Sequence, residues 1–222
     1  MKKLLLGIAI VIVIAAVGAG LLRYRSPDQV VRRAIERYGN QLTGATVQMN
    51  RAQISPKDGS GIITGFSVGN PGGFKTPAAI TAASIKLTLE IASLDRDPVI
   101  VRTLVVASPL ITYESTRSGS NFAALLENIG RSADAPGGAK GKIIVDRIVI
   151  RNARLSYTSP TDAGNTITVE LPDMFLNSIG RVKGGATSTE FATAIVKILF
   201  YQIKRKIPAE AVQAGPQNAP RN

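Results

Sequence analysis

The sequence contains no cysteine and no histidine among its 222 residues. Without cysteine there is no disulfide framework and no thiolate site for zinc or an iron–sulfur cluster. Without histidine there is no Ser-His-Asp or Cys-His catalytic arrangement and no imidazole ligand for a metal. The 15 acidic residues leave a carboxylate site for a hard cation open, but they are scattered and nothing resembles a calcium-binding loop. We therefore expect no cofactor, no metal site and no catalytic residue, and we expect that the protein is not an enzyme.

Aromatic residues are also few, at 5% of the chain, whereas 27 basic residues outnumber 15 acidic ones and give a formal net charge of +12. Such an excess suits either nucleic acid or an anionic membrane surface. Because the basic residues are spread along the chain and few aromatic rings are available to stack on bases, we do not expect a nucleic-acid partner.

The N-terminal segment is a long apolar run. Residues 4–22 carry no charge, and at about 1.5 Å of rise per residue they span roughly 28 Å, close to the hydrocarbon thickness of a bilayer. A signal peptide cleaved after Ala19 is the alternative, but the apolar run continues past that point and Arg23 and Arg25 follow at once. We therefore predict that residues 1–22 form a single uncleaved transmembrane anchor.

Residues 23–44 are predicted to form a juxtamembrane helix, because apolar residues recur there at helical spacing after a Ser-Pro-Asp start. Arg32 and Arg33 lie away from the apolar stripe. Together with Arg23 and Arg25 they are candidate contacts for lipid headgroups. The alternative is that Arg32 and Arg33 form an ordinary solvated helix face.

From residue 45 the hydrophobic period changes from helical to strand-like, which predicts a β-rich domain at 45–207 followed by a disordered tail at 208–222. The fold class that we expect is α+β and mainly β, with a curved antiparallel β-meander covered by helices. A helix is expected at 121–129 and another at 187–207, the latter opened by a capping box. The strands are expected at 46–54, 60–69, 84–91, 99–106, 110–114, 143–158, 166–171 and 174–179.

Residues 84–91 alternate strictly between polar and apolar side chains, so one face of this strand is apolar. That face is expected to form a continuous floor, covered either by lipid or by the helix at 187–207. Its members are the candidate lipid-facing residues Ile85, Leu87, Leu89 and Ile91.

An internal similarity links VIVRTLVVASPLITYE at 99–114 with IIVDRIVIRNARLSYT at 143–158. Both segments have the same apolar pattern, and each is interrupted at the same point, at Ser108-Pro109 and at Asn152-Ala153. A repeated strand–break–strand unit predicts a sheet that is extended by copies. The alternative is that any two segments of a β-meander share such a pattern.

Several of these segments resemble the AsmA-like family of envelope proteins. The stretch GIITGFSVGNPGGF at 61–74 is similar to that family's G-x-x-x-G-L-x-V-x-N-P-x-G-F stretch. The resemblance spans roughly residues 1–130 and includes the N-terminal anchor, the Leu42-Thr43-Gly44 segment, Ser93-Leu94, Ser108-Pro109 and Asn121 at the head of a helix.

The resemblance implies a single anchor in the inner (cytoplasmic) membrane, a β-rich domain in the periplasm and a role in envelope lipid homeostasis. The longest relatives resemble the chorein-type and TamB-like lipid-transfer proteins, whose repeating curved sheets form an apolar groove. This chain is short and forms at most a stub of such a groove. The expected partner is membrane lipid. The alternative function is a non-catalytic envelope scaffold that self-associates as a homo-oligomer or binds a protein partner.

Overall fold

The computed structural model describes residues 27–55, 57–116, 119–132, 141–158 and 166–207. This part of the chain is mainly β, as predicted, and its sheet curls into an open half-barrel. The helices are α1 (Pro27–Thr43), α2 (Asn121–Ser132) and α3 (Ser188–Lys206), and short 3₁₀ turns occupy Ile91–Ser93 and Arg181–Lys183. The strands are β1 (Val47–Gln48), β2 (Arg51–Ile54), β3 (Ser60–Gly69), β4 (Ala78–Leu89), β5 (Val99–Ala107), β6 (Leu110–Thr116), β7 (Gly119–Ser120), β8 (Ile143–Arg151), β9 (Arg154–Thr158), β10 (Thr166–Glu170) and β11 (Met174–Ile179).

Several of these strands are halves of longer, bent strands. β5 and β6 both pair with β4 in one antiparallel register from Ile80 to Thr88, and the register shifts by one residue at Leu89. In the same way, β11 and β10 pair with β8 and β9 in one register. The halves meet at Ser108, at Asn152 and at residues 171–173, which lie next to one another across the sheet. Ser108 and Asn152 have positive φ values of 49° and 52°, a conformation that cannot continue a pleated strand. The sheet therefore bends along this line.

The repeat predicted from the sequence is confirmed by the pairing of its two copies. β5 pairs with β8 and β6 pairs with β9 at the same sequence offset, so that Val99 lies opposite Ile143 and Leu110 opposite Arg154. The residues that are identical between the copies are direct neighbours in the sheet. These neighbours are Ile100 and Ile144, Val101 and Val145, Val105 and Val149, and Tyr113 and Tyr157.

The prediction of an antiparallel sheet throughout is wrong at these two pairings, which are parallel. Parallel neighbours require a crossover that returns the chain to the end from which it started. The chain between β6 and β8 makes that crossover, and α2 lies within it. All the other pairings among the described strands are antiparallel.

The strand predicted at 84–91 begins earlier, at Ala78, and ends at Leu89, so the prediction that Ile91 continues it is wrong. The reason is a local competitor for the backbone hydrogen bonds. The Ser93 hydroxyl donates to the Glu90 carbonyl at 2.7 Å and accepts from the Ile100 amide at 2.8 Å. These bonds stabilise a 3₁₀ turn directly after the strand. The strand predicted at 46–54 is likewise split, into β1 and β2.

The helices cover the inner face of the sheet. α1 lies against β1, β2 and α2 and buries Val31 and Ile35, while α3 contacts β11. The capping box predicted for α3 is confirmed: Thr187 Oγ1 accepts from the Glu190 amide and Glu190 accepts from the Thr187 amide. The buried stripe of α3 recurs at the spacing of one helix face, at Phe191, Ile195, Leu199 and Ile203.

The predicted anchor at residues 1–22 and the predicted tail at 208–222 lie outside the described residues. Within the described part of the chain, no helix has both the length and the apolar character needed to cross a bilayer.

Candidate functional site

The candidate lipid-facing residues of β4 lie on the inner face of the half-barrel. Ile85, Leu87 and Leu89 are all buried, and we call these three residues the concave floor. Ile91 does not join them. It is 42% exposed, and its Cγ1 lies near Gly59, since a β-carbon on that glycine would be 3.3 Å from it.

Neighbouring strands extend the concave floor in both directions. Ile85 lies opposite Ile63 of β3 and Val106 of β5, and both of these neighbours are buried. Directly opposed residues in a sheet project to the same face. The inner face is therefore an apolar surface several strands wide, which the alternation in one strand alone could not establish.

Helices, rather than a second sheet, cover this surface. α3, the predicted cover, packs against β11, whereas α1 packs against β1 and β2. Asp28, in the first turn of α1, lines the same cavity as Leu87. The first turn of α1, at Asp28, therefore lies close to the part of the concave floor that contains Leu87.

That cavity, which we call the β2–β4 cavity, is open to solvent and has a volume of about 650 Å³. Ile54, Gly61 and Leu87 form its apolar side, whereas Asp28 and Lys86 are the charged residues along it. Cavities of ~300–1,000 Å³ are the usual size for small-molecule sites. An apolar base beside charged groups suits a ligand that has an apolar part and a polar head.

Gly61 is required for the packing at this site. A β-carbon there would lie 2.7 Å from Ile54 Cδ1 and 2.9 Å from Leu87 Cδ1. Without a side chain at Gly61, Ile54 and Leu87 can meet across the middle strand. Asp28 fixes the adjoining helix by accepting a hydrogen bond from the Ile54 amide at 3.2 Å.

The candidate headgroup contacts are only partly described. Arg32 and Arg33 are exposed on α1. Arg32 forms an ion pair with Glu36, with its Nε 3.0 Å from the carboxylate, so its charge is partly neutralised on its own helix. Arg23 and Arg25 lie outside the described residues.

A buried carboxylate that the sequence did not indicate lies at Glu114. It accepts hydrogen bonds from the Lys75 and Thr76 amides at 2.7 and 2.8 Å and from the Thr76 hydroxyl at 2.6 Å. Burial alone raises the pKa of Glu114, but the hydrogen bonds from Thr76 and Lys75 outweigh it and hold the pKa below its ordinary value. The carboxylate therefore stays charged and fixes the 70–76 turn to β6.

Asn121 completes this polar network. Its amide nitrogen donates to Asn70 Oδ1 at 2.8 Å, and its Oδ1 accepts from the Glu114 amide at 3.0 Å. Asn70 in turn donates to the Thr76 carbonyl at 2.7 Å. The NPGGF turn and the asparagine at the head of α2, which carry the family resemblance, are therefore joined in space. Their contacts hold the turn, the strand and the helix together.

A second cavity, of about 380 Å³, lies between the end of β11 and the start of α3. Ile179, Val182 and Ala186 are its apolar lining residues. Val182 is 98% exposed on the Arg181–Lys183 turn. No periodic pattern indicated this residue, because it lies in a basic glycine-rich loop.

Within the described residues, no group of three or more acidic side chains is arranged to hold a metal ion. No protein-family model matches the chain, and no curated protein matches it. The likeness to AsmA-like proteins therefore rests on the sequence motifs given above.

Proposed function

We propose that this protein is a membrane-anchored envelope protein that binds lipid, or helps to handle it, on the concave floor of its half-barrel. The observation that carries the proposal is an apolar inner sheet face that is covered by helices and adjoined by an open cavity. Helices can shift while the hydrogen bonds of the sheet stay intact.

The free energy of burying the concave floor supports the replacement of a helical cover by lipid. Burying apolar surface contributes roughly 25 cal/mol per Å², whichever apolar group provides the cover. An acyl chain can therefore bury the floor as helical side chains do, and the net cost of the exchange is set by the apolar helix surface that it uncovers. The β2–β4 cavity is the proposed opening, because Leu87 is both a floor residue and a lining residue of that cavity.

The charged groups suit a lipid headgroup at this opening. Lys86 is exposed beside the cavity and is placed to pair with a phosphate. Arg32 and Arg33 on α1 are the proposed contacts with the surrounding bilayer surface, where an unpaired basic residue contributes about 1 kcal/mol on an anionic leaflet. The ion pair with Glu36 reduces the contribution of Arg32. Residues 1–22 are the proposed anchor.

The direct test is native mass spectrometry of the full chain, extracted from membranes in detergent, together with identification of the extracted lipid. We expect bound lipid on the wild-type protein and severalfold less on Lys86→Glu. Lys142→Glu is the matched control, because Lys142 is exposed and does not line the cavity. Folded wild-type protein that carries no lipid would contradict the proposal.

The proposed location is the inner membrane with the β-rich domain in the periplasm. A reporter enzyme that is active only outside the cytoplasm, fused after Asn222, tests this directly. We expect activity from that fusion. Activity only from a cytoplasm-specific reporter at the same position would contradict this location.

A scaffold function is the second candidate, and one observation favours it. β10 pairs with β9 alone and β11 with β8 alone among the described strands, so this side of the sheet has an edge at which another strand can add. The same mass spectra distinguish the two functions, because they report bound lipid and subunit number together.

A further inference from the structure

The two outer edges of the sheet differ in how far a helix covers them. On the β1–β2 side, the Val47 amide donates to Asn40 Oδ1 at 2.6 Å and the Ile54 amide donates to Asp28 Oδ1 at 3.2 Å. Both acceptors belong to α1. Backbone amides on a free edge are the groups to which a further strand would bind. α1 therefore closes this edge.

On the other side, α3 contacts β11 less extensively than α1 contacts β1 and β2, and the edge formed by β10 and β11 is blocked only in places. Pro172 and Asp173 occupy the corner between the two strands, and Ser178 has a positive φ of 58°. Proline, charge and irregular backbone all oppose strand addition. Between these blocks lie residues 174–177, Met-Phe-Leu-Asn, which carry no charge. We call this stretch the β11 edge.

Phe175 gives the β11 edge an exposed apolar side chain. It is 59% exposed, while its neighbour Met174 is buried. A large exposed apolar side chain on an uncharged edge strand is a predicted site of association. The short length of the stretch limits the registers in which a partner strand can pair.

We propose that the β11 edge pairs antiparallel with the same edge of a second copy of this chain, about a two-fold axis. The absence of charge between residues 174 and 177 means that no like charges meet when the two copies face each other. A head-to-tail arrangement that joins opposite edges of two sheets would need the β1–β2 edge, which α1 closes. The association is therefore isologous and stops at a dimer instead of growing into a fibre.

This dimer extends the groove. Directly opposed residues of neighbouring strands project to the same face of a sheet, so the two inner faces lie on the same side of the joined sheet. Two short half-barrels thereby form one longer apolar trough. The pairing itself does not depend on the proposed lipid function, because only backbone groups and the Phe175 side chain are required.

Chemical crosslinking is a sharp test because the chain has no cysteine. Asn177→Cys introduces a single thiol on the β11 edge, and Gln53→Cys introduces one at an exposed position of β2. The full chain in detergent is treated with a short bismaleimide. We expect covalent dimers with Asn177→Cys and monomers with Gln53→Cys. Equal crosslinking of the two variants overturns the proposal.

A second pair of variants tests how much Phe175 contributes to the stability of the dimer, which sedimentation or light scattering measures. Phe175→Lys places like charges across the two-fold axis and should weaken the dimer at least tenfold. Thr88→Lys, at an exposed position of β4, should leave it unchanged. A monomeric wild-type protein overturns the proposal, and so does a dimer that Phe175→Lys leaves intact. Circular dichroism verifies that the variants are folded. If Phe175→Lys is misfolded, the crosslinking of Asn177→Cys decides the proposal instead.

Different results would contradict the dimer proposal and the lipid proposal. Dimers that persist in delipidated protein support the pairing whatever lipid the protein carries. Lipid bound to a monomeric protein would overturn the pairing and leave the lipid proposal standing.

Discussion

Ser108 and Asn152 occupy equivalent positions in the two copies of the strand–corner–strand repeat, and both have a left-handed backbone, with φ of 49° and 52°. The Ser108 amide donates to the Arg151 carbonyl at 2.9 Å, which joins the two corners. A left-handed conformation costs most residues other than glycine roughly 1–2 kcal/mol, and it costs asparagine less. This conformation occurs twice along one line across the sheet, where the strands must turn.

Substitutions at Asn152 test this corner. Asn152→Gly should preserve or raise the free energy of unfolding, because glycine adopts positive φ without strain. Asn152→Val should lower it by about 1–2 kcal/mol, because a β-branched side chain tolerates this conformation poorly. Denaturant unfolding of the two variants compares them at a single site. Equal stability of the two would show that the corner is not strained.

The carboxylate of Glu114 gives a prediction about stability and pH. Glu114→Gln removes an acceptor from the Thr76 amide and should lower the free energy of unfolding by about 1–3 kcal/mol at pH 7. Because the pKa of Glu114 is lower in the folded state, its contribution is present above the ordinary pKa and is lost as the pH falls through the folded value. The difference between the two proteins should therefore shrink below about pH 4.

Glu170→Gln is the control for that experiment, since Glu170 is exposed on β10. It should change stability little at either pH. A difference between wild type and Glu114→Gln that stays constant down to pH 2 would refute the linkage to Glu114.

The burial of Leu87 predicts a large effect of charge on the concave floor. Leu87→Asp buries an unpaired carboxylate in lipid-free protein and should cost more than about 3 kcal/mol. Thr88→Asp, one residue away on the exposed face, should change stability by less than about 0.5 kcal/mol. Thermal and denaturant unfolding measure both. If the two variants are equally stable, the floor is hydrated and open, and lipid content becomes the quantity that distinguishes them.

Gly61 and Gly72 form a matched pair for testing the contact between Ile54 and Leu87. Gly61→Ala adds a methyl group in a place that those two side chains already fill, and overpacking of this kind typically costs about 1–3 kcal/mol. A β-carbon on Gly72 would meet nothing within 4 Å. We expect Gly72→Ala to leave the melting temperature nearly unchanged and Gly61→Ala to lower it. The reverse order would mean that the site relaxes freely.

The apolar run at the N-terminus predicts that the mature protein keeps residues 1–22. The intact mass of protein purified from membranes should match the whole sequence. N-terminal sequencing that begins at or near Gly20 would show instead that a signal peptide is removed.

Local patterns were enough to predict the elements whose causes are local. The capping box at Thr187 and Glu190 lies within one helical turn, and both of its hydrogen bonds form. The repeat was also recognisable, because two strands that pair in register face the same surroundings at each position and so carry the same apolar pattern. The alternation along residues 84–91 predicted the apolar face of β4, because successive side chains of a strand project to opposite faces, although the strand ends at Leu89.

Features that depend on distant parts of the chain could not be predicted in this way. Glu114 binds amides of Lys75 and Thr76, more than 30 residues earlier, and a single acidic residue at a strand end carries no sign of such partners. The parallel direction of β5 and β8 depends on the path of the crossover. The end of β4 depends on one serine hydroxyl that competes for backbone hydrogen bonds.

The crossover that carries α2 determines how this fold can be lengthened. Between β6 and β8 the chain returns to its starting end, so the second copy of the unit repeats both the direction and the corner of the first. A further copy, inserted between β9 and β10, would meet a neighbour with the same bend at the same position. In a longer chain of this design, the span of the groove is then set by the number of crossovers, while α1 and the strands that it closes stay as they are.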